Sequence, residues 1–245
     1  IGYLKDKMLS EPRYASIEQA LIITECYKQN EHQPRIIQRA LSLKAALEQI
    51  QISVEAEELI VGNRTAGVRY GVVFPESGST WVDKEFETLP TRPQDRFHVH
   101  PEDIETFRKV IKPYWEGKSL EDVLNERYGK EINEIGKVVK INQKDHAQGH
   151  ICPNCKKWLA MGPAGLQKEA KEKLKTCRED KKDFYRSVDL VMEGARNFMV
   201  RYHDLIVEMA SHEADEEKKA MMLKVAENCI NLSIRPAQTF HEAVQ

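Results

Sequence analysis

Apolar residues recur along this chain mostly at steps of three and four, a pattern that predicts a mainly α protein with a few short strands. The clearest run is Phe184, Val188, Val191, Ala195, Phe198, Tyr202, Leu205 and Met209. It keeps the helical spacing without a break and predicts one long helix packed along a seam. Leu223, Ala226 and Ile230 continue the pattern in a following helix. Because the seam mixes Ala, Phe and Tyr rather than repeating Leu and Ile, antiparallel packing is expected in place of a coiled-coil dimer. Earlier, Ile36, Ala40, Leu43, Leu47 and Ile50 place one apolar stripe on a helix that Pro34 helps to start. Ser16-Ile-Glu-Gln19 has a capping-box pattern and predicts a first helix running to about Tyr27.

Shorter signals fill the gaps. Glu58-Leu-Ile-Val-Gly-Asn63 reads as a short buried strand ended by Gly-Asn, and Tyr70-Gly-Val-Val-Phe-Pro75 as another extended piece. Pro101 opens a helix carrying Ile104, Phe107, Val110 and Ile111, which Pro113 is expected to interrupt, and Ser119 caps a further short helix through Leu124. At the far end, Pro236 allows a restart, Thr239 is a cap, and Phe240, Ala243 and Val244 form the first apolar face of a helix. A chain that stops about two turns into an amphipathic helix is expected to be a fragment rather than a completed domain. No internal repeat or low-complexity tract interrupts the pattern.

Composition narrows the class of protein. The 245 residues are 41% hydrophobic, enough for a substantial core, and could form one large domain or two small ones. Thirty-seven Lys and Arg balance 39 Asp and Glu, with both signs interspersed, which argues against a dedicated nucleic-acid binder. No apolar run reaches the ~18 residues that a membrane span requires, and the opening Ile1-Gly-Tyr-Leu-Lys-Asp-Lys7 lacks the apolar stretch of a signal peptide. A cytoplasmic protein without membrane or nucleic-acid partners is the expectation. The five cysteines are odd in number, and Cys26, Cys177 and Cys229 fall in helical stretches, so free thiols fit better than a disulfide framework.

Chemistry concentrates in His146-Ala-Gln-Gly-His-Ile-Cys-Pro-Asn-Cys155, followed by the Gly-rich Leu159-Ala-Met-Gly-Pro-Ala-Gly-Leu166. Side chains of these types bind metals, move protons or attack carbonyls. Three readings compete: a zinc knuckle, a reactive thiol site, and one wall of an active site completed elsewhere. Zinc lacks a second ligand pair from a distant knuckle, and a thioredoxin-like pair lacks an apolar strand before it. Cys152 and Cys155 are therefore expected to be ordinary packed or half-exposed thiols, with no metal. Gly62-Asn-Arg-Thr-Ala-Gly67 lacks the spacing of a phosphate loop. Glu76 is expected to anchor a loop, and His98 and His100, alternating about Val99, to be surface histidines.

Several stretches in fixed order carry a resemblance. Ser16-Ile-Glu-Gln-Ala20, Gln38-Arg-Ala-Leu-Ser-Leu-Lys-Ala-Ala-Leu47, Glu58–Asn63, Phe74-Pro-Glu76, Thr91-Arg92, Pro113-Tyr-Trp-Glu-Gly117, Gly149-His150 and Arg235-Pro-Ala-Gln-Thr-Phe240 resemble the pyruvate formate-lyase-type domain of glycyl radical enzymes, in its dehydratase and lyase branch. Gln19 departs from that pattern, which usually has Arg there. The resemblance spans residues 1–245 as the N-terminal part of such a domain. It implies a ten-stranded α/β barrel in the complete protein, for which this chain supplies outer helices and an early strand. It also implies an anaerobic homodimer acting on a small-molecule substrate, with no cofactor bound directly. A radical-SAM activating enzyme installs a glycyl radical, the radical oxidises a cysteine, and the thiyl abstracts hydrogen from substrate. The Gly-Cys-x-Glu finger and the Arg-x-x-Gly-aromatic loop that carry this chemistry do not occur in these residues, so the segment alone is expected to be inactive.

Among the residues present, the resemblance makes His150 substrate-facing, able to hydrogen-bond a hydroxyl or to donate a proton as it leaves as water. Gln148 and Lys144 are candidates to contact an anionic or polar substituent such as a sulfonate or carboxylate. The competing reading is a stand-alone or degenerate helical protein that binds a metal or partner through His146–Cys155. Expressed alone, the segment is expected to expose core-facing apolar surface and to associate or precipitate.

Overall fold

The computed structural model describes residues 2–55, 57–139 and 152–245. They are mainly helical, and the chain divides into two compact units. One comprises Ile1–Glu11, Glu25–Val68 and Pro153–Gln245, the other Pro12–Thr24 and Arg69–Cys152.

The first unit is a helical bundle. Its members are α1 (Gly2–Ser10), the end of α2 (Glu18–Gln29), α3 (Arg35–Gln49), α8 (Cys155–Thr176), α9 (Lys182–Ser211), α10 (Glu216–Ile234) and α11 (Phe240–Val244). The 30-residue α9 is the long helix that the periodicity predicts, and α3, α8 and α10 pack on it. Tyr202, Ile206 and Ala210 of α9 form a core with Val61 and with Met222, Val225, Ala226 and Cys229 of α10.

The deepest positions follow the expected stripes in part. Ala40, Ile50, Tyr202 and Ala226 are buried as expected, but Phe184, Ile36 and Leu223 are exposed, while Gly194 and Ala46, which lie off the stripes, are buried. Close approach between helices is the reason: a Cβ added to Gly194 would lie 2.9 Å from the Lys44 Cα. The smallest side chains therefore line the contact and the larger ones flank it. Polar groups fasten the same interface. Arg201 donates to the Leu47 and Ile50 carbonyls at 2.7 and 2.5 Å, supplying donors that the end of α3 otherwise lacks. Asn197 donates to Glu48 at 2.6 Å, and Lys44 bridges to Glu193 at 2.8 Å.

The second unit is made of short pieces. β1 (Ala15–Ser16) pairs in parallel with β2 (Gly71–Val72), and Tyr14 makes an isolated parallel bridge to His98. The extended reading of Tyr70–Pro75 thus holds for two residues. α4 (Ser79–Glu85), α5 (Pro101–Thr106), a π turn (Phe107–Ile111), α6 (Lys112–Trp115) and α7 (Leu120–Gly136) follow. Pro113 does not interrupt the helical path as expected. In the π turn the Lys112 N–H bonds the Phe107 carbonyl five residues back, and Pro113 then falls in the first turn of α6, where no N–H is needed. Ser119 does cap, in a full capping box with Asp122, but α7 runs 17 residues rather than stopping at Leu124.

One other expectation fails. Glu58–Asn63 forms no strand: the Val61 N–H and carbonyl are both taken by the Gln245 side-chain amide, at 3.1 and 2.9 Å, so an amide group stands where a neighbouring strand would. Thr239 caps α11 as expected, in a capping box with Glu242; Phe240 and Val244 are exposed, and the buried residue of that helix is Glu242.

Candidate functional site

His150, Gln148 and Lys144 lie outside the described residues, as does His146. Of the segment singled out in the sequence, the structure describes its exit. Cys152 and Cys155 are exposed free thiols rather than packed ones. Asn154 caps α8, its side chain accepting from the Lys157 N–H at 3.0 Å, and Cys155 occupies the exposed first turn. Cys26 and Cys229 differ in kind. Burial pushes the Cys26 thiol up and takes that of Cys229 to about 11, so both stay protonated at neutral pH.

The direction in which the chain leaves this segment is set about two turns into α8. Gly162 breaks the helix at φ 61°, ψ 177°, and Pro163 reopens it. A Cβ at Gly162 would lie 3.2 Å from both the Arg235 carbonyl oxygen and the Pro236 Cα, so the kink rests directly on the bend between α10 and α11.

That bend is held by an ion pair. The Glu242 side chain is only 3% exposed and accepts hydrogen bonds from both Arg235 guanidinium nitrogens, at 2.6 and 3.0 Å, and from the Gln238 and Thr239 N–H groups. Asn231 donates a further bond at 3.3 Å. With the Arg235 guanidinium as the largest cause, the Glu242 carboxyl is held down at about 2. The Arg235–Phe240 stretch is therefore a locked turn, with no group left to act as acid or base. The Thr239-x-x-Glu242 spacing was the signal for it, since a capping box places the acid under the turn.

Other family-like stretches also turn out to be fasteners. The Trp115 indole donates to Thr24 Oγ1 at 2.9 Å, and that hydroxyl donates to the Ala20 carbonyl at 2.6 Å, joining Pro113–Gly117 to the helix after Ser16. The Glu76 and Ser77 carbonyls accept from Leu120 and Glu121 N–H at 2.9 and 3.0 Å, so the backbone after Phe74-Pro-Glu76 holds the start of α7. Tyr202 donates to the Asn63 carbonyl at 2.6 Å. His98 is exposed and His100 half-buried, and both face Tyr14, whose ring stacks on His100 at 4.5 Å between centroids.

Comparison with known proteins gives this arrangement its context. The family described as "PFL-like: Pyruvate formate lyase-like" matches residues 1–245. The (2S)-3-sulfopropanediol dehydratase of Klebsiella oxytoca is 26% identical over 100% of this chain and 31% of its own length. The glycerol-bound B12-independent glycerol dehydratase of Clostridium butyricum superposes with a TM-score of 0.92 at 33% identity, covering 99% of this chain and 32% of the other. A glycyl radical enzyme from Archaeoglobus fulgidus superposes at 0.90 with 30% identity and the same coverage. The chain thus spans about a third of the length of these relatives. On the match along its whole length, the chain belongs to the pyruvate formate lyase-like family.

Proposed function

We propose that the protein to which these residues belong is a glycyl radical dehydratase or lyase that cleaves a C–O, C–N, C–S or C–C bond of a small polar substrate. The observation that carries this is the family match over residues 1–245, supported by structural likeness to a glycerol dehydratase and a glycyl radical enzyme. Residues 1–245 serve as the N-terminal part of the catalytic domain, supplying outer helices to a ten-stranded α/β barrel. The radical glycine and cysteine lie elsewhere in the protein, and a radical-SAM enzyme activates it. It works as an anaerobic, cytoplasmic homodimer.

His150 lines the substrate cavity and protonates a departing hydroxyl, a role that an imidazole can fill near neutral pH. Gln148 and Lys144 bind an anionic or polar substituent, in keeping with the sulfonate borne by the substrate of the Klebsiella relative. The test is electron paramagnetic resonance of the full-length protein after anaerobic treatment with its activating enzyme. A glycyl doublet, followed by consumption of diol or sulfonate substrates, is expected. Absence of the doublet from a fully activated preparation, or about one tightly bound zinc per chain at His146–Cys155, overturns the proposal.

A further inference from the structure

Cys152 and Cys155 have no part in the proposed function, and two features set them apart from the other thiols. The first is the path of the chain between them. The Cys155 N–H bonds the Pro153 carbonyl at 2.8 Å, with Asn154 at φ −76°, ψ 74°. That is an inverse γ-turn, a reversal made within three residues. A fully extended chain would hold the Cα atoms of a Cys-x-x-Cys pair about 10 Å apart, beyond the ~4.4–6.8 Å that a disulfide bridges. The turn shortens that span. Asn154 then caps α8 through the Lys157 N–H, which fixes Cys155 in the first helical turn, and Cys152 is bonded directly to the residue that opens the reversal. The second feature is access. Cys152 and Cys155 are exposed, whereas Cys26 and Cys177 are half-buried and Cys229 is buried. The Cys177 thiol donates to the Leu174 carbonyl at 3.7 Å, and burial keeps Cys26 and Cys229 protonated.

We propose that Cys152 and Cys155 are a reversible redox modification site, closed to a disulfide within one chain by a low-molecular-weight disulfide such as oxidised glutathione. In the first exchange one cysteine gives up its proton and its sulfur attacks a sulfur of the small disulfide. That S–S bond breaks, one small thiol leaves with a proton, and a mixed disulfide remains. In the second exchange the sulfur of the other cysteine attacks the protein sulfur of the mixed disulfide. The second small thiol leaves with a proton, and the bond between Cys152 and Cys155 forms. The two cysteines lose two electrons and two protons, and the small disulfide takes up both to become two thiols. An excess of the small thiol runs the same steps backward. None of this needs a radical, so the site stands or falls separately from the proposed function.

The experiment uses the full-length protein, equilibrated anaerobically in mixtures of reduced and oxidised glutathione, quenched with acid, alkylated and mapped by mass spectrometry. As the oxidised share rises, the peptide carrying Cys152 and Cys155 is expected to become lighter by two hydrogens and to take up no alkylating agent. Cys26, Cys177 and Cys229 are expected to stay alkylated, and reduced glutathione to restore both thiols. Cys152→Ser is expected to stop at a glutathione mixed disulfide on Cys155, several-fold more abundant than in the wild type. Thiols that stay alkylated in every mixture, a lasting mixed disulfide in the wild type, a bond from either cysteine to a different one, or both thiols held by tightly bound zinc would each overturn the inference. The wild-type masses need no substitution, so a variant that fails to fold does not shield the idea. Ring closure in a protein that gives no glycyl doublet would defeat the proposed function and leave this site standing.

Discussion

The helical bundle and the unit built from Pro12–Thr24 and Arg69–Cys152 solve the same problem by different means. In the bundle, long helices meet over small residues, and α3 and α9 approach until Gly194 faces the Lys44 backbone. Stability there is spread over many contacts along regular surfaces. In the other unit the elements are short and joined by single specific bonds: Trp115 to Thr24, the Glu76 carbonyl to the Leu120 N–H, and the Phe86 ring edge-on to Phe107 at 5.0 Å. Family-like words of the sequence cluster at such joints. They specify where the chain turns, whereas helical periodicity specifies only that it packs.

The contrast is broken most severely by removing the small residue on which close packing depends. Gly194→Leu should cost about 3 kcal/mol or more, because the clash is with backbone rather than a movable side-chain tip. By contrast Gly129→Ala, in α7 with nothing within 4 Å of the added methyl, should stabilise by about 0.5–1 kcal/mol. Native-state hydrogen exchange of the full-length protein, read at the α3 and α7 amides respectively, measures each locally. Equal effects would mean that the α3–α9 contact is not close-packed.

Next comes the buried ion pair between Arg235 and Glu242 in the bundle. Glu242→Gln should cost about 2–3 kcal/mol locally at neutral pH. Because the folded carboxyl titrates near 2 against 4.5 for the ordinary group, its contribution is fully present above about pH 5 and is lost as pH falls toward 2. Exchange at the Gln238 and Thr239 amides, corrected for intrinsic rates, should therefore accelerate on acidification in the wild type and show little pH dependence in the variant. A smaller loss, about 1–2 kcal/mol, is expected from Trp115→Phe, which deletes the indole donor to Thr24 while keeping most of the apolar volume. Combined with Thr24→Val, the two losses should be less than additive; strict additivity would show that the bond is not the joint described.

Sequence carried the helices well and their faces poorly. The seam from Phe184 to Met209 gave α9, but period alone cannot tell which of two adjacent stripes lies deepest when Gly194 lets the partner backbone approach. Pro113 misled because a proline signals a break only if the preceding turn keeps α-type bonding, and the π turn at Phe107–Ile111 does not. Glu58–Asn63 reads as a buried strand from its composition, yet Leu59 and Ile60 are half-exposed. The role proposed for His150 rests on the Gly149-His150 step in its family-like setting, since nothing in local spacing separates a substrate-facing imidazole from one that caps a turn.

The most direct measurement of the central claim is turnover of the activated full-length enzyme with His150→Ala, alongside quantification of its glycyl radical. The account predicts a radical content equal to wild type and turnover lower by roughly 10²–10⁴-fold, the range expected for loss of a general acid. Unaltered turnover at equal radical content would contradict it and remove His150 from the site.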